Sequence, residues 1–142
     1  MSRLFLDTNI LLDYIVPDRP ESDEALELIK QIVQGKHKAY VLASSLKDAY
    51  YVTAKHIGEQ AARDWVCIFL RIFEIEELDA EVSAVAAGSD EPDYEDGCIR
   101  AGAERAQVDF LITRDRAAYA RSWIKTYTAR EFLALFPGED ES

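Results

Sequence analysis

Carboxylates recur just after apolar runs in this chain. Asp7 directly follows "LFL", Asp48 comes shortly after "AYVLA", Asp93, Glu95 and Asp96 cluster after "SDEP", and Asp115 stands two residues beyond "FLIT". In an open α/β sheet, ligands bind beyond the carboxyl ends of the strands, so these positions would deliver acids to one edge. Without a cation, each like-charged pair about 4 Å apart would cost roughly 4 kcal/mol at an effective dielectric of 20. A divalent metal removes that penalty, and hard carboxylate oxygens favour Mg²⁺ or Mn²⁺ over zinc. His37 and His56 have no paired spacing that points elsewhere. Oxygen-only sites of this kind work on phosphates.

Taken singly, Asp48, Asp93 and Asp96 also suit the first turn of a helix, where the macrodipole favours negative charge. Asp7 is harder to explain structurally, because an uncompensated charge between apolar flanks is expensive. Asn9 fits a turn, and equally its amide could hold Asp7 in position. Thr113 and Arg114 set a hydroxyl and a guanidinium beside Asp115, which suits a nucleophilic water and a phosphate. The histidines are assigned no role. Trp65 and Trp123 read as core or interface, and Cys67 and Cys98 as small core residues.

The elements that must position these acids follow from periodicity. Leu4–Leu6 reads as a strand, and Ile10–Ile15 as a short helix. Asp18 with Glu21 predicts a capping box for a helix whose apolar positions, Ala25, Leu28, Ile29, Ile32 and Val33, recur at core-facing spacing until Gly35. Ala39–Ala43 is a second strand, after which Ser44 or Ser45 caps a helix running from near Leu46 to Ile57, ended by Gly58. A helix over 59–71 turns Trp65 and Phe69 inward, "FEIEEL" alternates like a strand, and Asp79 caps a helix over 80–87. Asp90, with Pro92 in the first turn, opens a helix reaching Ala106. A strand over 109–113, a loop or short helix, a strand near 124–127 and a Thr128–Glu131 capping box for the last helix complete the chain. Strands alternating with helices imply parallel strands joined by right-handed crossovers. The expectation is a three-layer α/β/α sandwich with a central parallel sheet.

Composition narrows the setting. The 142 residues fit one domain, and 49% apolar with 30% charged residues is ordinary globular content. Two cysteines without CxxC spacing suggest a reducing, cytoplasmic location. No apolar stretch approaches the ~18 residues a membrane span needs, so no membrane association is expected. The net charge of −11 repels a polyanion as a whole, yet residues 100–130 carry seven basic and three acidic side chains, leaving one region that could meet a nucleic acid.

With these residues in view, the sequence resembles the PIN-domain family, in particular the branch of toxin ribonucleases from toxin–antitoxin pairs. "FLDTNILLDY" is similar to that family's opening strand and first metal-binding acid, "SSLKDAYYV" to its second block, "DYEDGCIRAGAERAQVDFLITRD" to its third and fourth, and "YTAREFLAL" to its closing helix. The resemblance covers residues 1–136 and leaves 137–142 as an acidic tail expected to be disordered. It implies that Asp7, Asp96 and Asp115 are metal-site acids and that Asp48 completes a catalytic quartet. Asp48 is a departure, one methylene shorter than the glutamate usual in the wider family. Asn9, Thr113 and Asp93 become supporting residues with Glu95, and Arg114 and Arg116 candidates for gripping the RNA backbone. The implied activity is that of a Mg²⁺- or Mn²⁺-dependent endoribonuclease acting on single-stranded or structured RNA by in-line attack of water, leaving 5′ phosphate and 3′ hydroxyl ends. One ion and two ions both remain open. Implied partners are a small antitoxin protein and a second copy of the chain.

Other phosphate chemistries fit less well. A haloacid-dehalogenase-type nucleophile at Asp7 wants an aspartate two residues on, where Asn9 stands, and a receiver domain wants a lysine after a late strand, where "FLITRD" supplies arginine. The alternative is a PIN-like domain, weakly active or inactive, that binds RNA or protein.

Overall fold

The computed structural model describes residues 1–137. Five strands, β1 (Ser2–Leu6), β2 (His37–Leu42), β3 (Glu74–Glu76), β4 (Phe110–Ile112) and β5 (Lys125–Tyr127), form one sheet in the order β3-β2-β1-β4-β5. Every pairing is parallel. Seven α-helices cover it: α1 (Thr8–Ile15), α2 (Ser22–Val33), α3 (Ala43–Ile57), α4 (Glu59–Ile72), α5 (Ala80–Ala87), α6 (Tyr94–Ala106) and α7 (Ala129–Leu135), with a 3₁₀ helix at Arg116–Tyr119.

β1 is the central strand because both its faces are apolar. Leu4 and Leu6 are fully buried in one core with Ile10, Leu28, Phe69 and Phe132. Phe5 points the other way into a second core with Leu42, Ile99, Leu111 and Tyr119. α6 lies close on that second face. A Cβ built at Gly102 would come within 3.0 Å of Leu42 and 3.3 Å of Phe5, so a larger residue there would require these side chains to shift by a few tenths of an ångström. The chain goes from β1 to β2 on one side and returns through β4 on the other, which makes the carboxyl end of β1 the switch point where such folds bind ligands.

The helix-start expectations divide. Asp79 caps α5, and Thr128 and Glu131 form the capping box of α7. Asp18 and Glu21 form none: α2 starts at Ser22 without a side-chain cap, and the Glu21 carboxylate lies 3.7 Å from Arg114 instead. α3 begins at Ala43, earlier than predicted, which puts Ser44 and Ser45 inside its first turn; the Ser45 hydroxyl bonds that of Thr8 at 2.7 Å. Asp93, not Asp90, caps α6, because Asp90 is drawn to Arg100 at 2.8 Å. Trp65 packs edge-on against Tyr14, but Trp123 is 67% exposed. Cys98 is buried and Cys67, on the outer face of α4, is exposed. The acidic tail expected from 137 lies, from residue 138 onward, outside the described residues. Among the described residues, no helix is long and apolar enough to cross a membrane.

Candidate active site

A cleft of about 520 Å³ opens at the carboxyl end of β1, between α1, α3, α6 and the 3₁₀ helix. Asp7, Asp48, Glu95, Asp96 and Asp115 all line it, beside Thr8, Asn9, Ser44 and Tyr94. Among the described residues, no lysine, arginine or histidine does. The four predicted acids are therefore brought to one edge by the ends of β1 and β4 and by two helices that follow strands or loops on that edge.

Asp7 is the most firmly held of them. Its backbone N–H extends the sheet to the Ile112 carbonyl at 2.9 Å, and its residue is the N-cap of α1. The carboxylate does not cap the helix. Its Oδ2 accepts hydrogen bonds from the Thr113 hydroxyl at 2.8 Å, the Tyr119 hydroxyl at 2.8 Å and, more weakly, the Asn9 amide at 3.4 Å. All three donors are neutral, so the charge is solvated without being cancelled. Thr113, fully buried, also accepts the Asp115 backbone N–H at 3.1 Å, so one hydroxyl ties the first acid to the backbone of the last. Asn9 joins the same structure from α1, accepting the Arg114 N–H at 3.3 Å.

Asp96 lies in the first turn of α6 and its pKa is pushed up to about 6. Burial is the main cause, followed by the negative charges of Asp93 and Asp7, with Asp115 adding to them and the Tyr119 hydrogen bond opposing. The acids thus feel one another, as like charges sharing a cleft must. Asp93 spends a carboxylate oxygen on the Glu95 N–H at 2.8 Å, capping α6 rather than facing the cleft. Asp48 and Asp115 are exposed side chains on the cleft wall. Among the described residues, no three carboxylate, imidazole or thiol groups converge into a ready-made metal cage. What the cleft offers is an uncompensated, oxygen-only donor set, the chemistry that hard divalent cations fit.

The two arginines singled out by sequence are otherwise engaged. Arg114 turns away from the cleft to Asp13, 3.2 Å away, and Arg116 pairs with Glu131 at 2.9 Å. Two residues of consequence escaped sequence reasoning. Tyr119 looked like one more tyrosine in a loop; its signal was a position four residues beyond Asp115, one short turn away. Asp13 was hidden in the apolar run of α1, where it is completely buried.

Comparison with known proteins agrees with this geometry. The PIN-domain family model matches residues 3–117. No curated protein matches in sequence. Among solved structures, VapC20 of Mycobacterium tuberculosis, described as a sarcin–ricin loop cleaving toxin, superposes with a TM-score of 0.68 at 15% identity, over 86% of this chain and 97% of that one. A toxin–antitoxin complex from Klebsiella pneumoniae gives 0.65 at 23% identity over 90% and 98%. FitAcB of Neisseria gonorrhoeae gives 0.66 at 18% identity over 89% and 98%.

Proposed function

The chain belongs to the PIN-domain family, and from that premise we propose that it is a Mg²⁺- or Mn²⁺-dependent endoribonuclease, the toxin of a toxin–antitoxin pair. One observation carries the reading: five carboxylates and no basic side chain line a cleft at the sheet's switch point. Family membership supports a nuclease, as does the likeness in fold to a toxin described as cleaving the sarcin–ricin loop.

Asp7, Asp96 and Asp115 would hold the cation, and Asp48 would join them from α3 directly or through water. When bound, the cation supplies Lewis acidity for a water and for the phosphodiester. Asp7 presents a fixed oxygen because its other one is occupied by Thr113 and Tyr119. Asp96, whose pKa burial and neighbouring carboxylates push up to about 6, would be the acid whose charge a cation in the cleft favours most. Asp93 and Asn9 hold their neighbours in place. Of the two arginines, Arg116 is the better placed to exchange a partner for an RNA phosphate, since its Glu131 pair is exposed, whereas Arg114 is bound to a buried acid. A small antitoxin is its partner and covers the cleft, and the toxin forms a homodimer; the likeness to a solved toxin–antitoxin complex supports the antitoxin as partner.

The test is cleavage of a mixed RNA pool with Mg²⁺ or Mn²⁺, a chelator control, and the variants Asp7→Asn and Asp115→Asn. The expected result is metal-dependent cleavage with 5′ phosphate ends, lost in both variants. Cleavage that survives both substitutions overturns the reading, and RNA binding without cleavage by the parent protein would leave a binding domain in its place.

A further inference from the structure

We propose that Tyr119 is the positioning residue of the acid cleft: its hydroxyl, together with that of Thr113, fills Oδ2 of Asp7 and leaves Oδ1 as the only oxygen that Asp7 offers to a cation. The inference rests on the reading of the cleft as a divalent-cation site and goes beyond it, because it assigns a function to a residue that need not touch the cation.

Burying the phenol of Tyr119 carries a cost. Tyr119 is 1% exposed and sits in the core formed by Phe5, Leu42, Ile99 and Leu111. Packing alone would be satisfied by phenylalanine, and a buried hydroxyl is unfavourable unless bonded. Here it is bonded to an acid from another element, Asp7 Oδ2 at 2.8 Å, and it lies 3.4 Å from Asp96 Oδ1. A hydroxyl has one proton, so the shorter contact takes the larger share and the longer one marks how close the two acids are held. A carboxylate oxygen has two lone-pair directions. On Oδ2 of Asp7 the two 2.8 Å bonds, from Tyr119 and Thr113, take up these directions, and the Asn9 amide, at 3.4 Å, adds a weak third contact on the same oxygen. Among the described residues, no hydrogen bond reaches Oδ1. Rotating the carboxylate to offer both oxygens would break the two short bonds together, so Asp7 is set to ligate through one oxygen.

The position of Tyr119 makes this hold firm. The 3₁₀ helix that carries it starts directly after Asp115, so the same short segment supplies one cleft acid and locks another. Tyr119 reaches across to the end of β1 while α6 packs beside it, and it therefore spans three of the elements that bring acids to the cleft.

Tyr119→Phe tests this, since it removes one oxygen and leaves the ring. Mn²⁺ binding to the RNA-free protein, followed by electron paramagnetic resonance of the free ion, is expected to weaken about 10-fold, the usual scale for losing an outer-shell partner. The melting temperature should stay near that of the parent, and on RNA kcat should fall with KM unchanged. Tyr127→Phe, the same deletion on β5 outside the cleft lining, should change neither binding nor cleavage. Equal Mn²⁺ affinity in Tyr119→Phe and the parent overturns the proposal, as does a variant that loses only thermal stability. A parent that binds no Mn²⁺ overturns the cation reading, and the proposal with it. Should Tyr119→Phe not fold, Thr113→Val frees the same oxygen and decides by the same measurement: parental affinity there overturns the proposal, and weakened affinity supports it.

Discussion

Asp7 and Asp13 stand six residues apart at the two ends of α1 and face opposite electrostatic worlds. Asp13 is completely buried, with Arg114 at 3.2 Å and Arg19 at 3.5 Å. It lines a separate cleft of about 380 Å³, in which Glu21, Glu24, Arg114 and Arg130 mix both signs of charge. Asp7 is only half-buried, and every group that bonds its carboxylate is neutral. An acid that serves the fold is matched by arginine, because burying it otherwise costs too much. An acid reserved for a ligand is steadied by hydroxyls and an amide, which hold its geometry without consuming its charge. The same helix thus carries one acid that faces arginines and one whose bonding partners carry no charge.

The largest expected effect follows from exchanging charge on the two sides. Asp7→Asn should lower RNA cleavage by at least ~100-fold, the upper end of what an outer-shell loss costs a metal site, while leaving the melting temperature close to the parent's. Arg114→Ala should do the reverse. It leaves Asp13 buried with a single, more distant partner, at an expected cost of about 3 kcal/mol at neutral pH, measured by urea unfolding. Burial already raises the Asp13 pKa against the opposing pull of Arg114 and Arg19. A raised folded-state pKa means stability present at low pH and lost as pH rises through it, so the deficit of Arg114→Ala should shrink toward pH 4. If Arg114→Ala instead abolished cleavage with stability intact, the division between the two acids would be misdrawn.

Asp96 supplies the next effect. Its folded-state pKa of about 6 lies above the ordinary aspartate value, so the metal-free protein should lose stability as pH rises from near 4 to 6. Mn²⁺ should restore that loss, and its affinity should fall as pH drops below 6, where the proton competes. Asp96→Asn should flatten the pH profile and raise the metal-free melting temperature by a few degrees at pH 7 while cleavage is lost; thermal melts between pH 4.5 and 8 read both. Asp48→Glu should have a smaller consequence. Asp48 is exposed on the second turn of α3, and one more methylene brings its carboxylate further into the cleft, so a few-fold gain in cleavage is expected. Unchanged cleavage would place the residue outside the metal shell. The smallest effect is remote: Thr128→Ala breaks the α7 capping box, costing about 1 kcal/mol of stability with cleavage unchanged.

The sequence was most readable where a periodicity or a spacing had one physical meaning. The run Leu4–Leu6 had to be a central strand, and acids after successive strands had to share an edge once those strands were parallel. The Thr128–Glu131 box formed because both partners are local. What stayed hidden depended on distant partners. Asp90 had the residue type of a cap but found Arg100 ten positions on, and the cap fell to Asp93. Arg114 stood next to a catalytic candidate and turned instead to Asp13, a hundred residues earlier in the chain. Tyr119 could not be told from other tyrosines until the 3₁₀ helix aimed its hydroxyl at Asp7. Exposed Cys67 and Trp123 show the same limit, since an apolar residue says nothing by itself about which side of a helix or loop it occupies.

The most direct test of the account is the Mn²⁺-induced shift in melting temperature of three proteins at pH 7: the parent, Asp7→Asn and Asp13→Asn. A ligand at 100 times its dissociation constant stabilises the folded state by about 2.7 kcal/mol, enough to read as a clear upward shift. That shift is expected for the parent and for Asp13→Asn, whatever its starting temperature, and none for Asp7→Asn. An equal shift in Asp7→Asn, or its loss in Asp13→Asn alone, would contradict it.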